Sequence, residues 1–271
     1  MIILALVLRL IGIAHGFPYI YHPDEPTVVR SALGIRFNLN PGHFDWPHFY
    51  IYLNYFVYMI FAKLRTLLPI SQFWAIIYND ELVFYLISRI FSALLGAFTI
   101  IPIYLWVKRV ASKNAAVWSS AFLAVMPLHV RNSHYALIDV PMLFLLSWSL
   151  FCATFSPILS GLFLGLSAST KYNGILGAPF IIIFYLITRR KFADFAKTGI
   201  FTVLGFILGT PYALLDFKTF SRTDGPQGAF WQFTNVGKVD FTTQISQFVT
   251  TLAEKLPVNL GYGAALIFAV G

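Results

Sequence analysis

From Leu82 to Val107 a single charged side chain, that of Arg89, interrupts an otherwise uncharged and largely apolar run, and further apolar runs follow. A helix needs about 20 mostly apolar residues to cross a hydrocarbon core of roughly 30 Å. Inside lipid every backbone polar group must be bonded within the protein, which leaves helices or closed barrels. Barrels are built from segments of about 10 residues that alternate in polarity. Stretches such as Ala115 to Leu128 are apolar on all sides instead. The expected fold class is therefore all-α, a polytopic transmembrane helix bundle. Composition agrees, since 58% of the residues are hydrophobic and 11% charged, against roughly 45–50% and about 25% in soluble domains.

The formal net charge of +8 would point to nucleic acid in a soluble chain. Here it follows the positive-inside bias, so the expected partners are membrane lipids and not nucleic acid. Seven spans are drawn at 1–16, 82–107, 114–130, 137–155, 157–170, 174–188 and 198–213, with an eighth opening near Pro257. The connections Lys108 to Lys113 and Arg189 to Lys197 are basic apart from Asp194, which makes them cytoplasmic. The N-terminus is then inside, and 17–81, 131–136 and 214–255 are outside, in a multi-pass protein of the plasma (inner) membrane. The apolar stretch Phe49 to Leu68 would disturb this count as a span. Its neighbours Trp46, Tyr50, Tyr52, Tyr55 and Tyr58, with Lys63 and Arg65 at its end, instead predict an external juxtamembrane helix at headgroup level. Met1 to His15 lacks the basic n-region of a secretory signal and is read as an uncleaved span. The single Cys152 allows no internal disulfide. The whole of 1–271 reads as one transmembrane domain, and its end at Gly271 inside an apolar run reads as an incomplete polypeptide.

All six histidines and every acid except Asp194 fall at or beyond the outer ends of the spans, so the chemistry is expected there. Tyr21-His22-Pro23-Asp24-Glu25-Pro26 sets two carboxylates on a loop stiffened by proline, which suits a base held in place. The alternative is an acidic turn in which Asp24 caps the next helix. Arg131-Asn132-Ser133-His134-Tyr135, followed by Asp139 in an apolar run, is the second cluster. Here the alternative is a structural Asp139 bonded to Arg131 or His134. The third is Ser169-Thr170-Lys171-Tyr172-Asn173-Gly174 after a short span. It puts Lys171 near the depth of a lipid phosphate, unless its stem merely snorkels. Arg89, near the same side, offers a second cation. A divalent metal on Asp24, Glu25, Asp139 and a histidine is another use of these ligands, without diagnostic spacing.

The order of these motifs resembles the GT-C membrane glycosyltransferases, in the family 39-like group that holds protein O-mannosyltransferases and the bacterial aminoarabinose and mannose transferases. The residues that carry the resemblance are His22-Pro23-Asp24-Glu25, Phe44-Asp45-Trp46-Pro47-His48-Phe49-Tyr50-Ile51-Tyr52-Leu53 and Ser88-Arg89-Ile90-Phe91-Ser92-Ala93-Leu94-Leu95-Gly96. With them go Pro127 through Pro141, Gly165 through Gly174 and Thr210-Pro211-Tyr212-Ala213-Leu214-Leu215-Asp216. The resemblance implies transfer of a hexosyl or pentosyl group from a polyprenyl-phosphate-linked donor to a lipid, protein or glycan acceptor on the outer face, in the service of the cell envelope. Asp24 would then be the catalytic base with Glu25 beside it. Arg89, Arg131, His134, Tyr135, Asp139, Lys171 and Tyr172 would bind substrate, with Lys171 and Arg89 on the phosphate. Two other readings stand beside it. A transporter or flippase would ordinarily show internal repeats and acids at the bilayer midplane, and a non-catalytic fragment would keep the fold without turnover.

Overall fold

A computed structural model describes residues 1–67, 81–235 and 241–261, which are helical without a strand among them. The helices are α1 (Ile2–Leu10), α2 (Glu25–Gly34), α3 (Phe49–Leu67), α4 (Leu82–Phe98), α5 (Ile100–Val110), α6 (Lys113–Val125), α7 (Pro127–Asn132), α8 (Asp139–Ala153) and α9 (Pro157–Ala168). A 3-10 turn, Tyr172–Gly177, leads into α10 (Ala178–Ile187), then α11 (Phe192–Gly209), α12 (Tyr212–Leu215), α13 (Phe217–Phe220) and α14 (Ala229–Asn235). The last elements are α15 (Phe241–Thr250), a π turn at Thr251–Lys255 and α16 (Leu256–Leu260).

Local chemistry sets several boundaries. Ser112 and Ser156 cap α6 and α9, each accepting a backbone N–H three residues on. Pro127, at the first turn of α7, ends α6, because its ring and missing N–H cannot continue a helix. Thr99 divides α4 from α5 with its hydroxyl turned back to the Leu95 carbonyl at 2.8 Å.

Each expected span contains a helix, but the lengths differ. Among the described residues, Leu82–Val110 and Phe192–Gly209 are long and apolar enough to cross a bilayer. Asp139–Ala153, Pro157–Ala168 and Tyr172–Ile187 are apolar but shorter. The first expected span, 1–16, is helical only to Leu10, and Gly12 and Gly16 then take positive φ of 74° and 83°, which a helix cannot hold. The juxtamembrane helix is described to Leu67, so Leu68 lies outside the described residues, as does most of the eighth span. On α3, Phe56, Met59, Ile60 and Leu64 form an exposed apolar stripe at helical spacing.

Packing places the loops. α9 and α11 cross so closely that a Cβ on Gly165 would meet the Thr202 carbonyl, and one on Gly205 the Leu162 carbonyl. Small residues at such a crossing are how backbones approach. Ala5, Ala97, Ile100 and Ala124 pack α1 against α4, α5 and α6. Val29, Ala32, Ile51, Phe84 and Tyr85 join α2, α3 and α4. At one end, Arg109 donates to the Thr154 hydroxyl at 2.9 Å and Arg190 to the Thr154 carbonyl at 2.7 Å. The two basic connections therefore meet. The polar loops that follow α1 and α7, and those that precede α2 and α8, gather elsewhere and form the candidate site.

Candidate functional site

The two neighbouring acids of the first loop have opposite environments. Glu25, fully buried, takes a bidentate pair from Arg89 at 2.8 and 2.7 Å and accepts the Ala136 N–H at 2.9 Å. Arg89 also donates from Nη1 to the Ile13 and His15 carbonyls at 3.1 and 2.9 Å, with its guanidinium over the rings of Phe17 and Tyr135. The planar guanidinium matches a carboxylate in this way better than an ammonium would. This knot ties the end of α1, the start of α2, the middle of α4 and the loop before α8 together. It also commits four of the five N–H donors of Arg89, which the sequence had offered as a phosphate ligand.

Asp24 is left outside the knot. It stands at the N-cap position of α2, with Pro26 at the first turn, yet its side chain makes no capping bond. The carboxylate is exposed and has no partner among the described residues. Its own N–H donates to His22 Nδ1 at 3.2 Å, and the His22 ring lies 5.0 Å from that of Tyr135. His15 meets Tyr135 edge-on at 5.0 Å and His134 at 6.1 Å. The rings of His15, His134 and Tyr135 border a cavity of about 560 Å³ with an apolar floor that includes Leu8, Ile11, Val125 and Val130. Arg131 also lines it, exposed and unpaired among the described residues. His134 is held between the Val130 and Ile11 carbonyls at 2.8 and 2.9 Å, which pins this loop to the end of α1.

The third cluster is built separately. Lys171 Nζ lies 2.6 Å from Asp139 Oδ1, both side chains about one third exposed. Asp139 thus bonds neither Arg131 nor His134. Tyr172 donates to the Phe44 carbonyl at 2.7 Å, and burial, then Asp45, raises its pKa. Beside it His48, fully buried, donates from Nε2 to the His43 carbonyl at 2.7 Å, and its Nδ1 finds no partner among the described residues. Burial pulls the His48 pKa down to about 4, helped by His43 and resisted by the His43 carbonyl and Asp45. The His48 N–H and the Ser169 hydroxyl both meet the Thr210 hydroxyl, at 3.1 and 2.6 Å, and the Phe49 N–H donates to the Ser169 carbonyl. The start of α3 is stitched by these bonds to the ends of α9 and α11.

Tyr135, His134 and Arg131 therefore line one cavity together with His15, and Asp24 adjoins it through the contact of His22 with Tyr135. Asp139, Lys171 and Tyr172 form a second group. Glu25 and Arg89 lie beneath the first. Among the described residues no three His, Cys, Asp or Glu side chains gather as a metal site would require.

The family model described as dolichyl-phosphate-mannose-protein mannosyltransferase matches residues 69–214, just over half of the chain. That segment holds Arg89, Arg131, His134, Tyr135, Asp139 and Lys171, while Asp24 and Glu25 precede it. Among curated proteins, dolichyl-phosphate-mannose--protein mannosyltransferase 1 of Saccharomyces cerevisiae is 28% identical over 152 residues. The alignment covers 48% of this chain and 18% of the yeast protein, so the chain spans less than a fifth of that relative. No solved structure matches. With more than half of its length matched to the family, the chain belongs to the dolichyl-phosphate-mannose-protein mannosyltransferases, a GT-C mannosyltransferase-like group.

Proposed function

We propose that this chain is the membrane-embedded, multi-pass part of a glycosyltransferase that moves a sugar from a polyprenyl phosphate to an acceptor hydroxyl on the outer face, with Asp24 as base. The observation that carries the proposal is the division of labour within Asp24-Glu25: the buried pair with Arg89 fixes the backbone, and the adjacent carboxylate stays exposed and, among the described residues, unbonded. In the reaction the acceptor oxygen gives its proton to Asp24 and bonds the anomeric carbon as the bond to the phosphate oxygen breaks. The leaving group is already a stable anion, so no acid of the glycosidase kind is needed. Arg131 is the cation of the region without a partner among the described residues. Its cavity couples a charged rim to an apolar floor, as a lipid phosphate requires. Lys171 is partly neutralised by Asp139 and contributes its charge only when that pair opens.

Membrane embedding rests on the apolar helices, on exposed side chains such as Ile3, Trp118, Leu208 and Phe192, and on the meeting of both basic connections at Thr154. The yeast relative is named for a dolichyl-phosphate-mannose donor and a protein acceptor, which makes mannose and a protein hydroxyl the first pair to try. The test incubates membranes carrying the chain with labelled polyprenyl-phosphate sugars, for wild type and Asp24→Asn. The amide cannot take the proton, so the folded variant is expected to lose about 10²- to 10⁴-fold in turnover. Near-normal turnover in Asp24→Asn would move the base elsewhere, and no consumption of any donor by wild type would remove the transferase reading.

A further inference from the structure

α10 and α11 are joined by a short turn but splay apart: α10 rests on α8 and the 3-10 turn, whereas α11 rests on α9. The wedge between them is a cavity of about 360 Å³ with an almost wholly apolar lining. Leu164 forms its floor, Ile181 and Tyr185 one wall, and Thr198, Gly199 and Val203 the other. The polar atoms in reach are already satisfied by each other, Tyr185 and Thr198 meeting at 3.1 Å and Thr198 donating to the Pro157 carbonyl. The wedge thus offers no hydrogen bond to a polar guest. A slot of this size and lining admits the extended hydrocarbon chain of a lipid.

The turn between α10 and α11 supplies the other half of the ligand. Arg189, Arg190, Lys191 and Lys197 surround it, against Asp194 as the acid of the segment. Arg189 holds φ at 52°, a conformation in which glycine is the ordinary choice, and so keeps a cation at that corner. Arg190 bonds the Thr154 carbonyl with its guanidinium 6.0 Å from the Tyr185 ring, which ties the basic turn to the wall of the wedge. An apolar slot rimmed by clustered cations has the complementarity of an anionic phospholipid, as basic pockets beside membrane helices do.

We infer that the α10–α11 wedge is a binding site for an anionic phospholipid of the cytoplasmic leaflet, one acyl chain in the slot and its phosphate on the basic turn. The inference rests on the membrane placement proposed above and is independent of the transfer reaction. Gly199 allows a clean test, since a Cβ there meets nothing within 4 Å. Gly199→Leu fills the slot without a clash and replaces a poor helix former by a good one. The full chain is purified in detergent and titrated with phosphatidylglycerol or phosphatidylcholine of equal chain length, and bound lipid is read by native mass spectrometry. Wild type is expected to prefer phosphatidylglycerol at least fivefold. Arg190→Gln/Lys191→Gln is expected to bring that ratio near one, and Gly199→Leu to lower retention of both lipids while the thermal midpoint stays within a few degrees of wild type. Equal retention of phosphatidylglycerol in wild type and Gly199→Leu would overturn the slot, and a preference unchanged in the double variant would overturn the basic seat. A chain that left the membrane on alkaline washing would instead sink the membrane placement, a separate failure.

Discussion

A carboxylate and a guanidinium buried together are harder to lose singly than jointly. Glu25 and Arg89 are about 1% exposed or less, and breaking such a pair from one side leaves a stranded charge worth about 3–5 kcal/mol. Arg89→Gln is therefore expected to lower the thermal midpoint sharply, and Glu25→Gln/Arg89→Gln to recover part of the loss. A loss in the double variant equal to the sum of the Glu25→Gln and Arg89→Gln losses would show that each residue acts only through separate contacts. His48 gives a pH dependence at the same scale. Its folded pKa of about 4 lies below the unfolded value of about 6.5, so the stabilising difference is complete above pH 6.5 and is lost as pH falls through that window. The linked loss is on the order of 3 kcal/mol by pH 4. His48→Gln, which retains a donor for the His43 carbonyl, is expected to flatten the fall in melting temperature between pH 6.5 and 4.

At the level of helices, a glycine packed against α11 and a glycine on α11 itself predict opposite outcomes. Gly165 lies where the backbones of α9 and α11 touch, so Gly165→Leu must push them apart at a cost of at least about 1–3 kcal/mol. Gly199→Leu points into open space and is expected to leave stability near wild type. Melting curves of the two variants in one detergent check the contrast, and equal destabilisation would mean that the crossing is not as close as described. The helices themselves were legible in the sequence wherever apolar runs ended at Ser, Pro or Gly, because those residues act locally. The shortening of the first span was harder to read. An apolar run does not announce that Gly12 and Gly16 will adopt positive φ.

For the molecule as a whole, charge was the clearest signal in the sequence. Lys108, Arg109 and Lys113 lie far along the chain from Arg189, Arg190 and Lys191, yet the sign of their connections alone placed them together, and Arg109 and Arg190 meet on Thr154. What the sequence hid was pairing. Arg89 and Lys171 were offered as cations for a phosphate with no sign of their partners, since Glu25 lies 64 positions from Arg89 and Asp139 32 positions before Lys171. Burial and hydrogen bonding between distant segments decide such partners, and no local pattern records them. The orientation itself has a direct check. In a Cys152→Ser background, an impermeant thiol reagent added to intact cells is expected to label Asn38→Cys and to miss Ser112→Cys. The reverse pattern would place the site on the other face.

Arg9 carries a consequence for how the chain is made. It is fully buried in α1, donates to the Ala5, Leu123 and Ala124 carbonyls, lies 3.0 Å from His129 Nδ1, and meets no carboxylate among the described residues. The carbonyls of Leu123 and Ala124 belong to the open end of α6, which Pro127 leaves without helical donors. In a membrane-inserted chain the first helix is thus born with a cation whose acceptors beyond Ala5 are synthesised more than a hundred residues later. Until then the guanidinium, in the last turn of α1, lacks most of its acceptors, and a charge left without them at the membrane is costly. The newly made segment has to wait at the insertion machinery or at the bilayer edge until α6 emerges, which makes biogenesis of the amino-terminal half an all-or-none event and not a helix-by-helix one.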